Sequence, residues 1–368
     1  MNRKPRVLFI LPLPPPVHGS SMVGSQIRDS AVLRESFDCD FVSISTSRLM
    51  SEIGRGGLDK ICRFLAAFFK TLCLLLTHRY SLCYLAITCH GGGFIKDAPF
   101  VLLCKICGRK VVIHQHNKGM SSDVERWPYK WLLPLVYRKT TVILLSWRLY
   151  PDIQQIVSRE QVCICPNGIP DSSYRSSFDD RSPAHILFLS NLIESKGVFV
   201  LLDALKLLHD TGSVFVCDMV GAETAEIDSK RFGLEVKARG LEDIVLYHGK
   251  KVGADKTAFF DNADIFAFPT FYNNECFPLV LLEAMQFCLP VVTTDEGGIP
   301  DMVIDGETGL ICKRQDPVSL ADCLKRLLDD RRLRNKMGEC GRKRYQELYT
   351  EQVFENRLCQ ILLEAIIK

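Results

Sequence analysis

Along this chain, short runs of consecutive apolar residues alternate with longer stretches where apolar positions recur every three or four residues. The runs RVLFILP (6–12), FDCDFVSIS (37–45), LCYLAIT (82–88), RKVVIHQH (109–116), TTVILLS (140–146) and QVCICPNGI (161–169) have the length and composition of buried strands. Helical periodicity fills the intervals near 22–33, 58–77, 97–107, 127–137 and 149–157. The alternation then restarts with HILFLSN (185–191), FVCDMVG (215–221), IVLYHGK (244–250), DIFAFPT (264–270) and PVVTTD (290–295), separated by helices near 196–209, 229–239, 254–261 and 278–288. Such alternation predicts parallel sheets covered by helices. The polar stretch DSSYRSSFDDRSP (171–183) divides the two series as a linker. The expectation is an α/β chain of two tandem doubly wound domains facing across a cleft, 1–170 and 184–349. An amphipathic helix over 350–368 is expected to pack back on the first domain.

Length agrees with this division, since 368 residues exceed what one ordinary core organises. Hydrophobic content of 47% with 24% charged residues is that of a soluble globular enzyme. The opening MNRKPRVLFILPLPPP is broken by Pro12 and lacks a cleavage site, so it reads as a first strand rather than a signal peptide. Sixteen cysteines at no framework spacing read as reduced thiols in a cytoplasmic protein. Cys104 and Cys107 lie in the apolar stretch FVLLCKICG and read as small buried hydrophobes rather than a redox or zinc pair. The apolar stretch 61–81 is interrupted by Lys70 and is too short to span a bilayer, so it reads as a helix packed on a sheet. Its Arg63, Lys70 and Arg79 offer a second reading, contact with a membrane surface.

Charge adds an asymmetry. Residues 1–170 hold 22 Lys and Arg against 11 Asp and Glu, whereas the rest hold 24 against 32. Either the basic half meets something anionic, such as a membrane surface or a phosphate-bearing acceptor, or both surfaces are simply solvated.

In doubly wound domains, ligands bind beyond the carboxyl ends of the strands, where loops enter helices. Three such loops are unusual. PLPPPVHGSS after the first strand is stiffened by proline, and Gly19 with Ser20 and Ser21 allows backbone to approach a ligand or simply makes a turn. It is not a GxGxxG turn, which disfavours a dinucleotide. In SNLIESKG, Lys196 falls near a helix start, where a cation opposes the helix dipole unless it shares an anion with the helix or pairs with Glu194. In NNECFPLVLLEAMQFCLP, Pro278 suits the first helical position, leaving the N–H groups of Leu279 and Val280 free for phosphate. Glu283 sits one turn further on, in a helix apolar all round, so burial is expected and partners are required. Sugar hydroxyls, such as a ribose diol, or a core Lys or Arg would both serve. His116 ends a strand of the first half, with His114 on the same strand face, and either a structural or a cleft role fits it. No metal-binding spacing is present, and HGGG (90–93) lacks the GxSxG that an esterase reading needs.

Together SNLIESKG, DMVGAE, IVLYHGK, ADIFAFPTFYNNECFPLVLLEAM and PVVTTDEGGIPDMVIDGETGLI, in this order over 185–311, resemble the retaining glycosyltransferases of family 4. Glu275 and Glu283, eight apart, match that family's E-x7-E motif, and HQHN and CPNGI (165–169) match more loosely. The resemblance implies a GT-B fold of two facing Rossmann-like domains, a nucleotide-sugar donor, and no metal or other cofactor. It implies that Glu283 accepts the ribose diol, that Glu275 faces the transferred sugar and that Lys196 neutralises the donor diphosphate. Backbone at Phe277, Pro278, Leu279 and Val280 would hold the diphosphate or sugar, and base recognition would fall to backbone near Tyr247 to Lys251. His116 would contact the donor sugar, and Gly19 would lie where the first domain approaches donor phosphate and acceptor.

Two positions depart from the family. Asn191 stands where an Arg usually pairs with the Lys, and Cys276 replaces the commoner Gly after the first Glu. The implied activity is metal-independent transfer, with retention, of a hexosyl group to a glycan or lipid-linked acceptor in lipopolysaccharide or capsule assembly. The charge asymmetry, not the resemblance, offers an anionic membrane surface as a further partner, with the protein cytoplasmic or peripheral at the inner face of the cell membrane, and no nucleic acid is expected. The alternatives are a non-hydrolysing nucleotide-sugar epimerase and a catalytically weak nucleotide-sugar-binding subunit, the latter suggested by Asn191.

Overall fold

The computed structural model describes residues 4–16, 19–47, 57–172 and 183–367. The polar stretch expected as a linker, 171–183, falls largely outside these described residues. The chain divides into two compact units, one comprising residues 1–167 with 351–368, the other residues 168–350.

The first unit holds a six-stranded, all-parallel sheet. Its strands are β1 (Arg6–Leu11), β2 (Asp38–Ser43), β3 (Leu82–Ile87), β4 (Val111–Gln115), β5 (Thr141–Leu144) and β6 (Val162–Ile164), in the order β2-β1-β3-β4-β5-β6. Every residue of β3 and β4 is buried, as continuous apolar runs require of strands covered on both faces. The first helical region is two helices rather than one, α1 (Gly19–Asp29) and α2 (Ala31–Ser36). Ser30 causes the break, because its hydroxyl accepts from Leu33 N at 3.2 Å and restarts the helix as an N-cap.

The helices α3 (Leu58–Thr77), α4 (Gly91–Ile106) and α5 (Tyr129–Tyr137) make the crossovers from β2 to β3, β3 to β4 and β4 to β5. All three crossovers advance across the sheet in one direction, so right-handedness puts all three helices on one face. The expected helix at 149–157 is instead a 3-10 turn over Trp147–Asp152, and β6 is shorter than its apolar run because Pro166 and Gly168 end it early.

The second unit repeats the architecture. Its strands are β7 (Ala184–Leu189), β8 (Phe215–Val220), β9 (Val245–Tyr247), β10 (Ile265–Phe268), β11 (Val291–Thr293) and β12 (Gly309–Ile311), all parallel in the order β12-β11-β10-β7-β8-β9. Around them lie α6 (Val198–Asp210), α7 (Ser229–Ala238), α8 (Gly253–Asn262), α9 (Leu279–Gln286), α10 (Ile299–Met302), α11 (Pro317–Asp329) and α12 (Arg331–Leu348). The strand β12 and the helices α10 to α12 were not separated by the apolar pattern. Aspartates start three of these helices: Asp228 caps α7, Asp316 caps α11 ahead of Pro317, and Asp330 caps α12. The final helix, α13 (Glu351–Ile367), belongs to the first unit, where it packs on α2 and β3. The fold is thus α/β, with a Rossmann-like parallel sheet in each unit.

Candidate active site

Strand order in the second unit reverses between β7 and β10. From β7 the chain winds outward through β8 and β9, and from β10 it winds the other way through β11 and β12. Loops leaving the carboxyl ends of β7 and β10 therefore part to opposite sides, which opens a crevice at that point. The sequence placed two of its candidate loops there.

After β7 the chain passes through a 3-10 turn, Glu194–Lys196, and Gly197 at φ +87° caps α6. Lys196 is therefore not in the helix but directly precedes its cap. Glycine is required at 197 twice over: its φ is left-handed, and a Cβ would lie 2.2 Å from the Pro269 carbonyl oxygen. That contact seats the β7 loop against the β10 loop, and Phe271 N donates to Ser195 O at 2.8 Å.

Here Lys196 Nζ donates to Glu275 Oε2 at 2.5 Å, with both side chains largely buried. The ammonium also lies 4.5 Å from the Tyr272 ring centroid and 5.5 Å from that of Phe268. Glu194, the alternative partner, instead pairs with Arg231 at 3.7 Å. Glu275 is held from the far side by the loop after β11. A Cβ on Gly297, φ +55°, would lie 2.2 Å from Glu275 O, and Gly298 N donates to Cys276 O at 2.8 Å.

Three residues after Glu275, Pro278 caps α9 with φ −67° and ψ 117°, one position earlier in the helix than its sequence suggested. Leu281 N makes the first backbone bond back, to Pro278 O at 3.1 Å. The N–H groups of half-buried Leu279 and Val280 precede that bond, as helix starts require. Phe277 and Cys276 are buried beneath them.

Glu283 departs from expectation. It is about a quarter exposed rather than sealed in, and its Oε1 accepts from Lys256 Nζ of α8 at 2.5 Å. The lysine explains how a carboxylate is tolerated in so apolar a helix, and only Oε1 is engaged by it. Asn191 is exposed at the start of the β7 loop, its carbonyl accepting from Ile193 N at 2.8 Å.

Gly19 and His116 belong to the first unit. Gly19 opens α1, and a Cβ there would meet nothing within 4 Å, so no packing demands glycine. The preceding residues 17 and 18 lie outside the described residues. His116 directly follows β4, its ring 4.1 Å from that of His114, which in turn bonds Tyr84 Oη through Nδ1 at 2.7 Å. Burial pushes His116 down to about 4, and burial reinforced by His116 pushes His114 well down too, so both rings are neutral at pH 7. His116 Nδ1 is an interior atom with no hydrogen-bond partner. The loop that follows is tied down by Asp152, whose carboxylate accepts from the N–H groups of Gly119, Met120 and Ser121 at 2.9–3.1 Å.

Of the residues singled out in the sequence, the fold brings Lys196, Glu275 and the α9 N-terminus together. Their neighbours Lys256, Tyr272 and Gly297 were not among those singled out. Lys256 is 27 positions from its partner and carries no local signal. Gly297 was visible as half of a Gly-Gly pair between strand and helix, a usual mark of close backbone approach.

Residues 174–344 match the family of glycosyl transferases group 1. The second unit is a group 1 glycosyltransferase domain. Curated relatives of this domain include the capsular polysaccharide biosynthesis glycosyltransferase CapM of Staphylococcus aureus, 26% identical over 46% of this chain and 43% of CapM. A D-inositol 3-phosphate glycosyltransferase of Corynebacterium glutamicum (strain R) is 34% identical over 51% of this chain and 46% of its own. The match spans about half the length of these relatives. Among solved structures, Anabaena Alr3699/HepE in complex with UDP-glucose superposes with a TM-score of 0.70 at 17% identity, covering 98% of this chain and 99% of that one. At such identity the likeness establishes the fold, and it extends beyond the glycosyltransferase domain to the first unit.

Proposed function

We propose that the chain is a retaining, metal-independent glycosyltransferase that moves a hexosyl group from a nucleotide-sugar donor to a glycan or lipid-linked acceptor in surface polysaccharide assembly. The observation that carries this reading is the pairing of Lys196 with Glu275 at the switch point of a group 1 domain, beside the start of α9. CapM, which matches the same domain, acts in capsular polysaccharide biosynthesis, and HepE has been solved with UDP-glucose.

The donor diphosphate would lie against Lys196 and the N–H groups of Leu279 and Val280. These are fixed donors that stabilise negative charge without a metal. Glu275 would face the hydroxyls of the transferred sugar while keeping Lys196 aimed. Glu283 would accept a ribose hydroxyl on Oε2, with Lys256 holding Oε1. In the transfer, the acceptor oxygen bonds to the anomeric carbon on the face from which the diphosphate departs, the carbon–phosphate-oxygen bond breaks, and the acceptor proton passes to a diphosphate oxygen. Asn191 supplies no charge to the diphosphate, which leaves Lys196 as the principal side-chain cation there.

Titration with a panel of nucleotide sugars tests this reading. One donor should bind, and Glu283→Ala should weaken it roughly ten- to a hundredfold, the loss of about 1.5–3 kcal/mol expected for a hydrogen bond to a charged group. Unchanged affinity removes the ribose assignment. Lys196→Ala should lower turnover by about 10²–10³-fold, and a chelator should leave it intact.

A further inference from the structure

Exposed large apolar side chains are unevenly distributed over the described residues, and one layer of the first unit holds half of them. On α3, Phe64 and Phe68 turn inward onto Phe100 of α4 at 5.5 and 5.7 Å. The opposite stripe, Leu58, Ile61, Leu65, Phe69 and Leu76, follows helical spacing and is exposed along the whole helix. On α4, Ile95 and Ile106 point outward. At α5, Trp127, Trp131 and Leu135 recur at intervals of four and are exposed, while Tyr129, Leu133 and Val136 fill the inner side.

These helices are neighbours on one sheet face, α3 packing on α4 and α4 on α5. All three tryptophans of the chain are exposed within residues 127–147, at 84%, 72% and 42%. Tryptophan is ordinarily well buried, so this placement calls for an amphipathic partner.

The charge of the same segment selects the partner. Residues 57–140 hold 13 Lys and Arg against four acids. Two of those acids, Asp97 and Asp123, are buried and pair with Lys96 at 3.0 Å and Arg126 at 2.7 Å, while Asp59 and Glu125 lie at the surface beside Arg63 and Lys130, so the segment keeps a surplus of nine positive charges. Lys70 and Lys105 reach backbone carbonyls of Phe41, Leu135 and Val136 rather than carboxylates, and burial pushes the Lys105 ammonium down to about 8. Among the described residues no helix is long and apolar enough to cross a membrane.

We propose that the α3–α4–α5 layer seats the protein flat on an anionic lipid bilayer. The apolar stripes enter the acyl boundary, tryptophans sit at headgroup level, and lysines and arginines meet the lipid phosphates.

The tryptophans supply their own readout. Full-length protein is mixed with vesicles of phosphatidylglycerol and phosphatidylcholine in equal parts, or of phosphatidylcholine alone, and both co-sedimentation and tryptophan emission are followed. The anionic vesicles should bind the protein and shift its emission to the blue, and raising salt from about 0.05 M to about 0.5 M should weaken binding steeply. Phe69→Glu should weaken binding roughly tenfold or more at an unchanged melting temperature, because Phe69 is solvent-facing. Leu76→Glu, at the other end of the stripe, serves if Phe69→Glu fails to fold.

Absence of a shift and of sedimentation overturns the proposal, as does wild-type binding by both variants. A dimer seen without lipid and dissociated by Phe69→Glu assigns the face to a second copy of the chain and overturns it equally. Donor affinity, titrated without vesicles, should be unaffected by either variant, so loss of the glycosyltransferase reading and loss of this one register separately.

Discussion

The Lys196–Glu275 pair binds two loops 79 positions apart, and its energetics follow from burial. Removing one partner leaves the other charge stranded, so Glu275→Leu should destabilise the second unit by about 3 kcal/mol in denaturant unfolding. Lys196→Met combined with Glu275→Leu should recover most of that loss, since a desolvated ion pair gains little over apolar groups of similar volume. Recovery of stability without recovery of activity separates the structural duty of the pair from its chemical one. Glu283 shows how far single residues could be read. Its helix announced that a partner was needed, yet Lys256 could be found only after α8 and α9 were folded side by side. The histidines carry a pH dependence. His116 titrates at about 6.5 when unfolded and about 4 when folded, so the unfolded chain takes up protons first as pH drops. Stability from this group is complete above about 6.5 and is lost as pH falls towards about 4. Thermal unfolding between pH 7 and pH 4.5 should show the first unit weakening, and His116→Gln should flatten that slope.

At the scale of elements, the parallel strands of both sheets were the most legible part of the chain, because burial on both faces writes itself as an unbroken apolar run. Boundaries were set by single residues that periodicity does not weigh: Ser30 divides a helix, and Gly197 separates Lys196 from α6. The last fifth of the second unit, from β12 through α12, was not divided into elements in the sequence, although α11 buries Leu320, Leu324 and Leu327 along one helical face. Half of α12 is charged, and it packs through small contacts such as Gly338, whose Cβ would lie 1.8 Å from Cys288 O. The β11 loop makes a similar demand. Gly297→Ala forces a left-handed φ on alanine and drives a methyl into the Glu275 carbonyl, so a loss of about 2–3 kcal/mol is expected. Turnover should fall with it, measured under conditions where the variant remains folded, because the displaced backbone carries Glu275.

At the scale of the molecule, the two units divide the charge unequally. The first, including α13, holds 24 Lys and Arg against 14 acids, and the second holds 22 against 29. The basic surplus is concentrated in residues 57–140, the segment that contains α3, α4 and α5, which the sequence registered only as an imbalance between halves. Periodicity marked the long apolar stretch at 61–81 but could not say which of its sides faced inward. That was settled by Phe100, a residue of a different helix.

The first unit is made from both ends of the chain, with the whole second unit inserted between them. During synthesis the inserted segment leaves the ribosome complete, while its host still lacks the helix α13 that packs on α2 and β3. Stopping translation after Thr350 should therefore yield a product whose residues 168–350 resist protease while residues 4–167 are cut, and limited proteolysis of that truncated chain reads the difference directly. A polypeptide arranged this way completes its glycosyltransferase domain before the helix that closes its basic unit has emerged.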